Sequence, residues 1–416
     1  MMKFDTVVLG AGIVGVCVAV HLQKRGYRVA LVDRKPPGNE TSLGNAGLIQ
    51  REGVYPYAFP RELGTLMRYA RNRSPDVRYH PNAMLKSAPF LWQYWRNSHP
   101  VKHAAIARSY STLIRHCVSE HRVLAAAAGA SELLRPIGWM KVFRTVAVRD
   151  SETQLAEQWH REYGVEYESL DAARLQQMEP DLDRSLIGAL RYTASDSVSD
   201  PNALVTAYAK YFAQLGGLFF IGDANSLRDH WQVDTAAGTL TAASAVVALG
   251  PWSDQVSSRL GYRLPLGAKR GYHMHYGAQP GTRLNHPVLD VERGYMLVPM
   301  TKGIRLTTGA EIARHDAPKT PIQLAAVEPV ARTLFPLAGR LDAEAWMGRR
   351  PCTADMLPII GPAPDHKDLW FAFGHAHHGL TLGPVTGRLI AEMMAGEDTL
   401  VDTRPFRVDR FLPPLR

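Results

Sequence analysis

Two regions near the ends of the chain hold residues whose types and spacing suit chemistry. Near the N-terminus, Gly10, Gly12 and Gly15 form a Gly-x-Gly-x-x-Gly pattern, and Asp33 follows downstream. Glycines at this spacing allow a tight turn, the approach of a pyrophosphate to the backbone, and close packing of helix on strand. Asp33 would accept hydrogen bonds from ribose hydroxyls. The pattern therefore predicts a dinucleotide with a free 2′-hydroxyl, FAD or NAD rather than NADP.

The second region contains three histidines within four residues, His375, His377 and His378. Such a cluster could bind a metal ion, but residues one and two apart on a helix point in different directions. No cysteine or carboxylate close in sequence completes a ligand set. We therefore expect no metal site here, and we expect His377 or His378 to contact a cofactor or substrate.

The elements around the glycine pattern support its assignment. Residues 4–9 are apolar and β-branched, as in a buried parallel strand, and Val14, Val18 and Leu22 recur at helical spacing. A basic turn and Gly26 end this predicted helix, and residues 28–32 form the next strand, which leads to Asp33. A strand, a glycine turn, a helix and a strand with a terminal acid are the context in which the motif is informative.

Composition limits the class of protein. The chain has 416 residues, 46% of them hydrophobic and 21% charged, which suits two or three globular domains. The three cysteines are far apart, so we predict neither a disulfide framework nor a paired cysteine motif, and a reducing, cytoplasmic compartment. The uncharged stretch of residues 6–23 is broken by glycines at turn spacing, so we interpret it as strand, turn and helix rather than a membrane span.

Basic residues are concentrated in one part of the chain. Residues 61–150 contain 15 Lys and Arg against 5 Asp and Glu, and residues 90–96 place aromatic rings beside arginine. Three interpretations remain open for this basic helical region, residues 61–132: a solvated basic face, a membrane interface, and packing against a neighbouring domain. Aromatic and cationic side chains together are typical of a membrane interface, whereas large rings also supply packing area against a neighbouring domain. Nucleic acid is not an expected partner.

Three motifs together resemble those of a known family. These are Thr-Ser-x-x-Asn-Ala-Gly at residues 41–47, Gly-Arg-Arg-Pro with a downstream Asp and Pro-Ile-Ile-Gly at 348–361, and Gly-His-x-x-x-Gly-Leu-Thr at 374–381. The sequence resembles the FAD-dependent D-amino-acid oxidase superfamily, in the branch of glycine oxidase and bacterial D-amino acid dehydrogenase. Lys-Arg-Gly-Tyr at 269–272 is similar to a Lys-Gly-Tyr segment of these dehydrogenases.

The resemblance implies an α/β fold of the glutathione-reductase type. A discontinuous, Rossmann-like FAD-binding domain would comprise residues 1–60, 150–262 and 344–416. A substrate domain with a mixed, largely antiparallel sheet would comprise residues 61–149 and 263–343, including the basic helical region.

The resemblance also implies site residues. Arg350 would hold a substrate carboxylate, with Tyr272, Tyr295 and His377 as further substrate contacts, and His377 and His378 would join Arg350 in catalysis. The FAD contacts would be Gly10, Gly12, Ile13, Val14, Gly15, Asp33, Arg34, Thr41, Ser42, Asn45, Ala46, Gly47, Leu48, Ala224, Ala248, Gly250, Trp252, Gly348, Arg349, His378, Gly379, Leu380 and Thr381.

The implied activity is FAD-dependent oxidation of a D-amino acid or a cyclic imino acid by hydride transfer from the α-carbon to flavin N5. Two alternatives remain, oxidation of an N-methylated amino acid and a flavin-bearing electron-transfer subunit of a larger complex. Oxygen, a quinone or a protein could accept the electrons. Peripheral association with the anionic inner face of the cell membrane is a further expectation.

Overall fold

The structure, a computed structural model, describes residues 2–314 and 316–412. Its strands are β1 (Met2–Leu9), β2 (Val29–Asp33), β3 (Leu48–Ile49), β4 (Val77–Tyr79), β5 (Leu134–Arg135), β6 (Trp139–Phe143), β7 (Tyr167–Asp171), β8 (Gly188–Tyr192), β9 (Asp196–Val198), β10 (Leu218–Arg228), β11 (Gln232–Thr235), β12 (Gly238–Val247), β13 (Leu266–Ala278), β14 (Val288–Asp290), β15 (Tyr295–Met300), β16 (Gly303–Thr307), β17 (Ala310–Ile312), β18 (Leu337–Arg340), β19 (Trp346–Thr353), β20 (Ile359–Pro362) and β21 (Leu369–Phe373).

The helices are α1 (Ile13–Lys24), α2 (Leu63–Ala70), α3 (Pro81–Asn97), α4 (Pro100–Ile114), α5 (Cys117–Ala127), α6 (Val146–Tyr163), α7 (Ala172–Met178), α8 (Pro201–Gln214), α9 (Ser253–Arg259), α10 (Ile322–Leu334) and α11 (Gly379–Ala395). Among the described residues, no helix combines the length and the apolar character needed to cross a bilayer.

The first sheet is doubly wound. Strands β10, β2, β1, β12 and β21 run parallel in that order, and β20 adds an antiparallel edge to β21. The remaining strand, β11, is antiparallel to both β10 and β12. Helix α1 connects β1 to β2 and packs against α8 and α11. This arrangement agrees with the predicted Rossmann-like half of the molecule.

The second sheet has eleven strands and is largely antiparallel, as the resemblance implied. Its main path is β4, β17, β13, β16, β15, β14, β6, β8 and β7, and β18 and β19 also pair with β13. Only the β4–β17 and β14–β6 pairs within this sheet are parallel. A small third sheet is formed by β3, β9 and β5.

The predicted domain boundaries differ from the strand pairing at three strands. Residues 150–262 and 344–416 were assigned to the FAD-binding domain, yet they contain β7, β8 and β19 of the second sheet. The reason is that strand pairing depends on which strands are adjacent in the folded chain, and adjacent strands need not come from the same sequence segment. The division into two domains itself stays a prediction.

The basic helical region forms α2 to α5, with β4 between α2 and α3. Its aromatic residues have two different surroundings. Tyr94 is buried and Phe90 lies over Gly267 of β13, where an added Cβ would be 2.7 Å from the Phe90 ring. In contrast, Trp92 is 59% exposed. Some of the aromatic side chains of this region therefore pack against the protein, whereas others are exposed at the surface.

Candidate active site

One end of the site lies where three parallel strands finish at the same edge of the first sheet. Strands β1, β2 and β12 are paired in register at their carboxyl ends, so Gly10, Asp33 and Ala248 lie together. Asp33 Oδ2 accepts a 2.6 Å hydrogen bond from the Ala11 backbone N–H, which joins the glycine turn to β2. Burial raises the pKa of the Asp33 carboxyl. Ligands of open α/β sheets bind at this edge.

The glycines of the turn have the roles that the spacing predicts. Gly10 has φ +106°, and a Cβ at Gly15 would lie 1.8 Å from the Gly10 carbonyl oxygen. Gly12 precedes helix α1, and a Cβ there would meet only Ser42 Oγ, at 3.4 Å. The outer side of the turn is therefore open, and the N-terminus of α1 presents its positive dipole end to this space.

A cavity of about 700 Å³ extends from this turn to the second sheet, a volume within the range of small-molecule and cofactor sites. Most of the predicted site residues line it. These are Gly10, Gly12, Ile13, Val14, Asp33, Arg34, Thr41, Ser42, Asn45, Ala46, Leu48, Ala224, Ala248, Gly250, Trp252, Tyr272, Tyr295, Gly348, Arg350, His377, Gly379 and Leu380.

Five predicted residues do not line the cavity: Gly15, Gly47, Arg349, His378 and Thr381. Gly15 provides the close contact between helix and turn described above. The Gly47 N–H donates to Asn45 Oδ1 at 2.8 Å, and Thr381 Oγ1 donates to the Leu48 carbonyl at 3.1 Å. Gly47 and Thr381 thus lie behind the wall and are hydrogen-bonded to Asn45 and Leu48, which reach the cavity. Their assignment as FAD contacts stays a prediction.

A tryptophan that the sequence did not single out occupies the space beside two glycines of the cavity wall. A Cβ at Gly44 would lie 1.8 Å from the Trp346 ring, and one at Gly348 would lie 2.2 Å from it. Trp346 stacks on His273, with 4.8 Å between ring centroids. The absence of a side chain at Gly44 and Gly348 therefore leaves the room that this indole needs. The assignment of Gly348 as an FAD contact stays a prediction.

Arg350 faces the cavity from β19. Its Nη1 donates to the Gly309 carbonyl at 3.1 Å, and its Nη2 donates to the Thr308 carbonyl at 3.4 Å. A Cβ on Gly271 would be 2.5 Å from Nη2, so the guanidinium occupies the space that a side chain at Gly271 of β13 would need. Burial lowers the pKa of Arg350, but a guanidinium remains charged in proteins. Among the described residues, no carboxylate forms an ion pair with it.

The two histidines predicted to act in catalysis have different surroundings. His377 lines the cavity, and its ring lies 4.5 Å from the ring of Tyr57, centroid to centroid. Its Nε2 is buried, and no residue that the structure describes forms a hydrogen bond with it. His378 Nδ1 is hydrogen-bonded to the Tyr110 hydroxyl at 2.7 Å behind the wall. Burial lowers the pKa of His377 well below its usual value and that of His378 to about 3, so both imidazoles are neutral near pH 7.

The two tyrosines predicted to contact substrate direct their hydroxyls elsewhere. The Tyr272 hydroxyl donates to Glu311 at 2.8 Å and accepts from Arg270 at 2.6 Å, beside a buried Arg270–Glu311 ion pair of 2.8 Å. The Tyr295 hydroxyl donates to Asp290 at 3.2 Å. Both rings contribute to the cavity wall, yet both hydroxyls are engaged in the core of the second sheet.

Several cavity residues were missed by the sequence analysis. Lys269 is paired with Arg350 in register between β13 and β19, and its Nζ lies 4.1 Å from the centroid of the Tyr94 ring. Tyr57 also lines the cavity and contacts His377. Alternation along β13 places Lys269 on the same face as Gly271, but its position opposite Arg350 depends on a register that the sequence does not show.

A second polar group lies in the wall near β6. Lys141 Nζ forms a 2.8 Å ion pair with Glu152, and both residues line the cavity. Burial disfavours the charged form of Lys141, but Tyr192 and Glu152 outweigh burial and raise the pKa of this ammonium group. The Lys141 charge is thus already compensated within the protein.

Metal ligation was not predicted, and the structure groups one set of suitable side chains away from the three C-terminal histidines. Ligand atoms of His273, His275 and Asp342 lie within 4.8 Å of one another. However, His275 Nδ1 is bonded to Asp342 at 2.7 Å, and Arg305 Nε donates to His275 Nε2 at 3.0 Å. Lys302 also pairs with Asp342. With both His275 nitrogens engaged and two cations adjacent, we interpret this set as a hydrogen-bond network.

The residues present fit a dinucleotide that carries a large ring system. The cavity is continuous from the open glycine turn to Arg350, and the first residues of α11, Gly379 and Leu380, line it as well. A family model described as FAD-dependent oxidoreductase, DAO type, matches residues 5–393. The chain belongs to this family. FAD is therefore its cofactor, and the predicted fold class and enzyme class are confirmed.

Individual relatives agree with the family assignment. The chain is 31% identical over 97% of its length to a D-amino-acid oxidase of Bradyrhizobium diazoefficiens, of which it covers 98%. Its fold is similar to glycine oxidase from Geobacillus kaustophilus, with a TM-score of 0.75, 24% identity, and coverage of 99% of this chain and 100% of that one. L-proline dehydrogenase from P. horikoshii has a TM-score of 0.72 at 19% identity, with coverage of 99% and 98%.

Proposed function

We propose that this FAD-dependent oxidoreductase oxidises the CH–NH group of an α-amino acid, a D-amino acid or a cyclic imino acid. The observation that carries the proposal is the Arg350 guanidinium, which faces the FAD cavity and, within the described part of the chain, donates hydrogen bonds only to backbone carbonyls. A guanidinium can bind a carboxylate through two parallel N–H donors. The relatives that are a D-amino-acid oxidase and an L-proline dehydrogenase support an amino or imino acid as substrate.

In this proposal Arg350 binds the substrate carboxylate and thereby fixes the position of the α-carbon. The α-C–H bond would break with its electron pair leaving as hydride, while the lone pair of the neutral amine forms the C=N bond of an iminium ion, which releases a proton to water to give the imine. Bound FAD would supply the two-electron acceptor for this hydride. Water then hydrolyses a primary imine to a 2-oxo acid and ammonia, whereas a cyclic imino acid yields the cyclic imine. Orientation is the protein's main contribution to such a reaction.

Two further features of the chain would assist. The neutral His377 imidazole has an unpartnered Nε2, which can form a hydrogen bond with the bound substrate. The N-terminus of α11 brings Gly379 and Leu380 to the cavity, and the positive end of the helix dipole stabilises nearby negative charge. Neither feature requires an acid–base pair.

The test is an anaerobic screen in which flavin absorbance is followed as substrates are added. We expect reduction by D-amino acids or cyclic imino acids. Reduction by N-methylated amino acids alone would indicate the demethylating alternative. Absence of reduction by every amine would contradict the proposal and favour an electron-transfer subunit. Reoxidation of the reduced protein with oxygen and with a quinone analogue would then identify the class of electron acceptor.

We also propose peripheral association with an anionic membrane from the cytoplasmic side, through α2 and α3. Leu63, Met67, Leu85 and Trp92 are exposed there, among the basic residues counted above. Tyr69 and Leu91 of the same helices line the cavity, so a membrane quinone could reach it from this face. We expect the protein to sediment with vesicles rich in phosphatidylserine at low salt and to be released at high salt. Equal sedimentation with neutral vesicles would contradict the electrostatic part of the proposal.

A further inference from the structure

The charges that face the cavity are unevenly compensated. Glu152 is paired with Lys141, Glu40 with Arg34, and Asp76 accepts from the Tyr69 hydroxyl at 2.6 Å. In contrast, no carboxylate among the described residues pairs with either Arg350 or Lys269. The other two acidic residues of the wall, Asp33 and Asp223, accept hydrogen bonds from backbone N–H groups. Arg350 and Lys269 are thus two neighbouring cations without a carboxylate partner.

These two cations belong to one small part of the wall. Lys269 and Arg350 are directly opposite each other in the antiparallel β13–β19 pair, so their side chains leave the sheet on the same face. The side chains then diverge, because Arg350 extends across Gly271 while Lys269 lies against the Tyr94 ring. The Tyr94 hydroxyl donates to the Tyr57 carbonyl at 2.5 Å, and burial raises its pKa despite the nearby Lys269, so this tyrosine is a neutral partner of the ammonium. A ring face attracts a cation but supplies no negative charge.

The remaining groups around the two cations do not compensate them. His377 is neutral, and both Lys269 and Arg350 contribute to the lowered pKa of its imidazole, after burial and His378. The Cys352 thiol lies beside the same two cations, but burial raises its pKa. Partly buried charges are costly unless they are paired. A substrate with a single carboxylate would satisfy Arg350 and leave Lys269 without a counterion.

We infer that the substrate carries two carboxylates, one bound by Arg350 and the other by Lys269. This inference rests on the proposed function, because Arg350 keeps its role as the carboxylate-binding residue beside FAD. The second carboxylate could belong to an amino-acid side chain, as in D-glutamate or D-aspartate, or to a substituent on nitrogen, as in iminodiacetate. The chemistry shared by these molecules is an amine that lies between two carboxylates or near both.

The test compares the holoenzyme with Lys269→Met, with Lys269→Arg as the conservative variant, and with Lys210→Met as a control at an exposed lysine of α8. One arm measures kcat/KM for D-glutamate against D-glutamine, and D-aspartate against D-asparagine. The other arm compares iminodiacetate with N-ethylglycine. We expect the native enzyme to prefer the dicarboxylate in one arm, and that arm identifies where the second carboxylate lies.

We expect Lys269→Met to reduce this preference about 30-fold, as for the loss of one partner of a buried charge pair. Lys269→Arg should restore most of the preference, and Lys210→Met should leave it unchanged. The monoamide and N-ethyl substrates should be affected little by Lys269→Met. An unchanged preference in Lys269→Met, or a native enzyme that favours the monocarboxylates, would overturn the inference and leave the proposed function intact.

Binding without turnover separates the two proposals. Glutarate and butyrate are titrated into the holoenzyme, and perturbation of the flavin absorbance spectrum reports their dissociation constants. We expect glutarate to bind more tightly than butyrate in the native protein and equally in Lys269→Met. If no amine reduces the flavin while this difference persists, the proposed oxidation is contradicted and the two-carboxylate pocket is supported. Equal binding in the native protein contradicts the pocket.

Discussion

Arg349 and Arg350 are neighbours in sequence, yet they lie in different surroundings. In β19 successive side chains point to opposite faces, so Arg350 enters the cavity while the Arg349 guanidinium lies 5.9 Å from the ring centroid of Trp252. Of the two, Arg350 has the position needed to bind a substrate carboxylate. A single register shift of β19 would exchange them, which makes the pairing of β19 with β13 essential to the site.

His377 provides a prediction at this scale. Burial, then His378 and the two cations, lower the pKa of its imidazole well below 6.5, so His377 stays neutral from pH 6 to pH 9. We expect His377→Asn to lower kcat/KM about tenfold through loss of a hydrogen bond, without changing the shape of the pH profile.

The measurement is kcat/KM against pH for the native enzyme, for His377→Asn, and for His230→Asn as an exposed control. The rising limb of each profile should follow the substrate amine as it loses its proton. An inflection near pH 6.5 that is present in the native enzyme and absent only from His377→Asn would show that His377 titrates in the working range, against this expectation.

Some of these residues could be predicted from sequence because motifs fix them locally. Gly10 and Gly12 of the glycine turn, Asp33, Arg350 and His377 all follow from short patterns, and each lines the cavity. Lys269 and Tyr57 could not be predicted to line the cavity. The position of Lys269 depends on the register between β13 and β19, and that of Tyr57 depends on the contact of its loop with His377. Tyr272 and Tyr295 were predicted to contact substrate; their rings line the cavity, whereas partners in the core of the second sheet engage their hydroxyls.

At the scale of elements, the contact between α1 and α11 supports both ends of the site. A Cβ on Gly387 would lie 2.5 Å from the Cys17 backbone, and one on Gly383 would lie 2.7 Å from the Ile13 side chain. Glycines four residues apart therefore let α11 approach α1 closely. Since the N-termini of both helices open on the cavity, this contact sets the distance between the dinucleotide turn and the histidine segment.

Gly387→Ala tests this packing. The added methyl group would force α11 away from α1, and we expect a loss of about 1–3 kcal/mol in the free energy of unfolding, together with weaker FAD binding. Gly64→Ala in α2 is the matched control, because a Cβ there meets no atom within 4 Å; its effect should stay within about 1 kcal/mol. Urea unfolding and FAD titration measure both quantities, and equal effects of the two substitutions would refute the packing argument.

Helix α11 contains a proline near its start. It begins at Gly379 and includes Pro384. A proline within a helix leaves the carbonyl four residues earlier without its N–H donor, here that of Leu380. His121 Nε2, from α5, is hydrogen-bonded to this carbonyl at 2.6 Å. The helix can therefore begin a turn before Pro384, because His121 supplies the donor that the Leu380 carbonyl would otherwise lack. The local sequence does not show this contact.

At the scale of the whole molecule, several histidines are buried and have lowered pKa values. Burial is the main cause that lowers the pKa of His21 to about 3, of His121 to about 4, of His375 to about 3 and of His378 to about 3. In the unfolded chain each would bind a proton near its ordinary pKa of 6.5. Unfolding therefore takes up protons below pH 6.5, and the stabilisation that these neutral imidazoles provide is present above pH 6.5 and is lost as the pH falls toward 4.

His121 offers a way to isolate one contribution. We expect the free energy of unfolding to fall with pH below 6.5 less steeply in His121→Gln than in the native protein. The difference in slope should approach 1.4 kcal/mol per pH unit for a single histidine. Urea unfolding between pH 4.5 and 7.5, at fixed saturating FAD, measures this slope. Parallel curves for the two proteins would mean that His121 is protonated in the folded state.

The architecture of the molecule was predictable to different degrees in its two halves. The doubly wound sheet follows from a strand, turn and helix pattern that is local in sequence. The second sheet draws strands from separated segments, so β7, β8 and β19 could not be assigned to it without tertiary pairing. The cofactor end of the site is formed by the first sheet and the substrate end by the second. The sequence therefore indicated more of the residues at the cofactor end than at the substrate end.

The most direct test of the account is anaerobic reduction of the bound flavin in Arg350→Met, with the best substrate of the native enzyme. We predict that kcat/KM falls about 10²–10³-fold while FAD content and the flavin spectrum stay unchanged. Arg404→Met, at an exposed arginine paired with Asp402, should match the native enzyme. Flavin reduction in Arg350→Met at the native rate and with the native KM would contradict the claim that this guanidinium holds the substrate beside FAD.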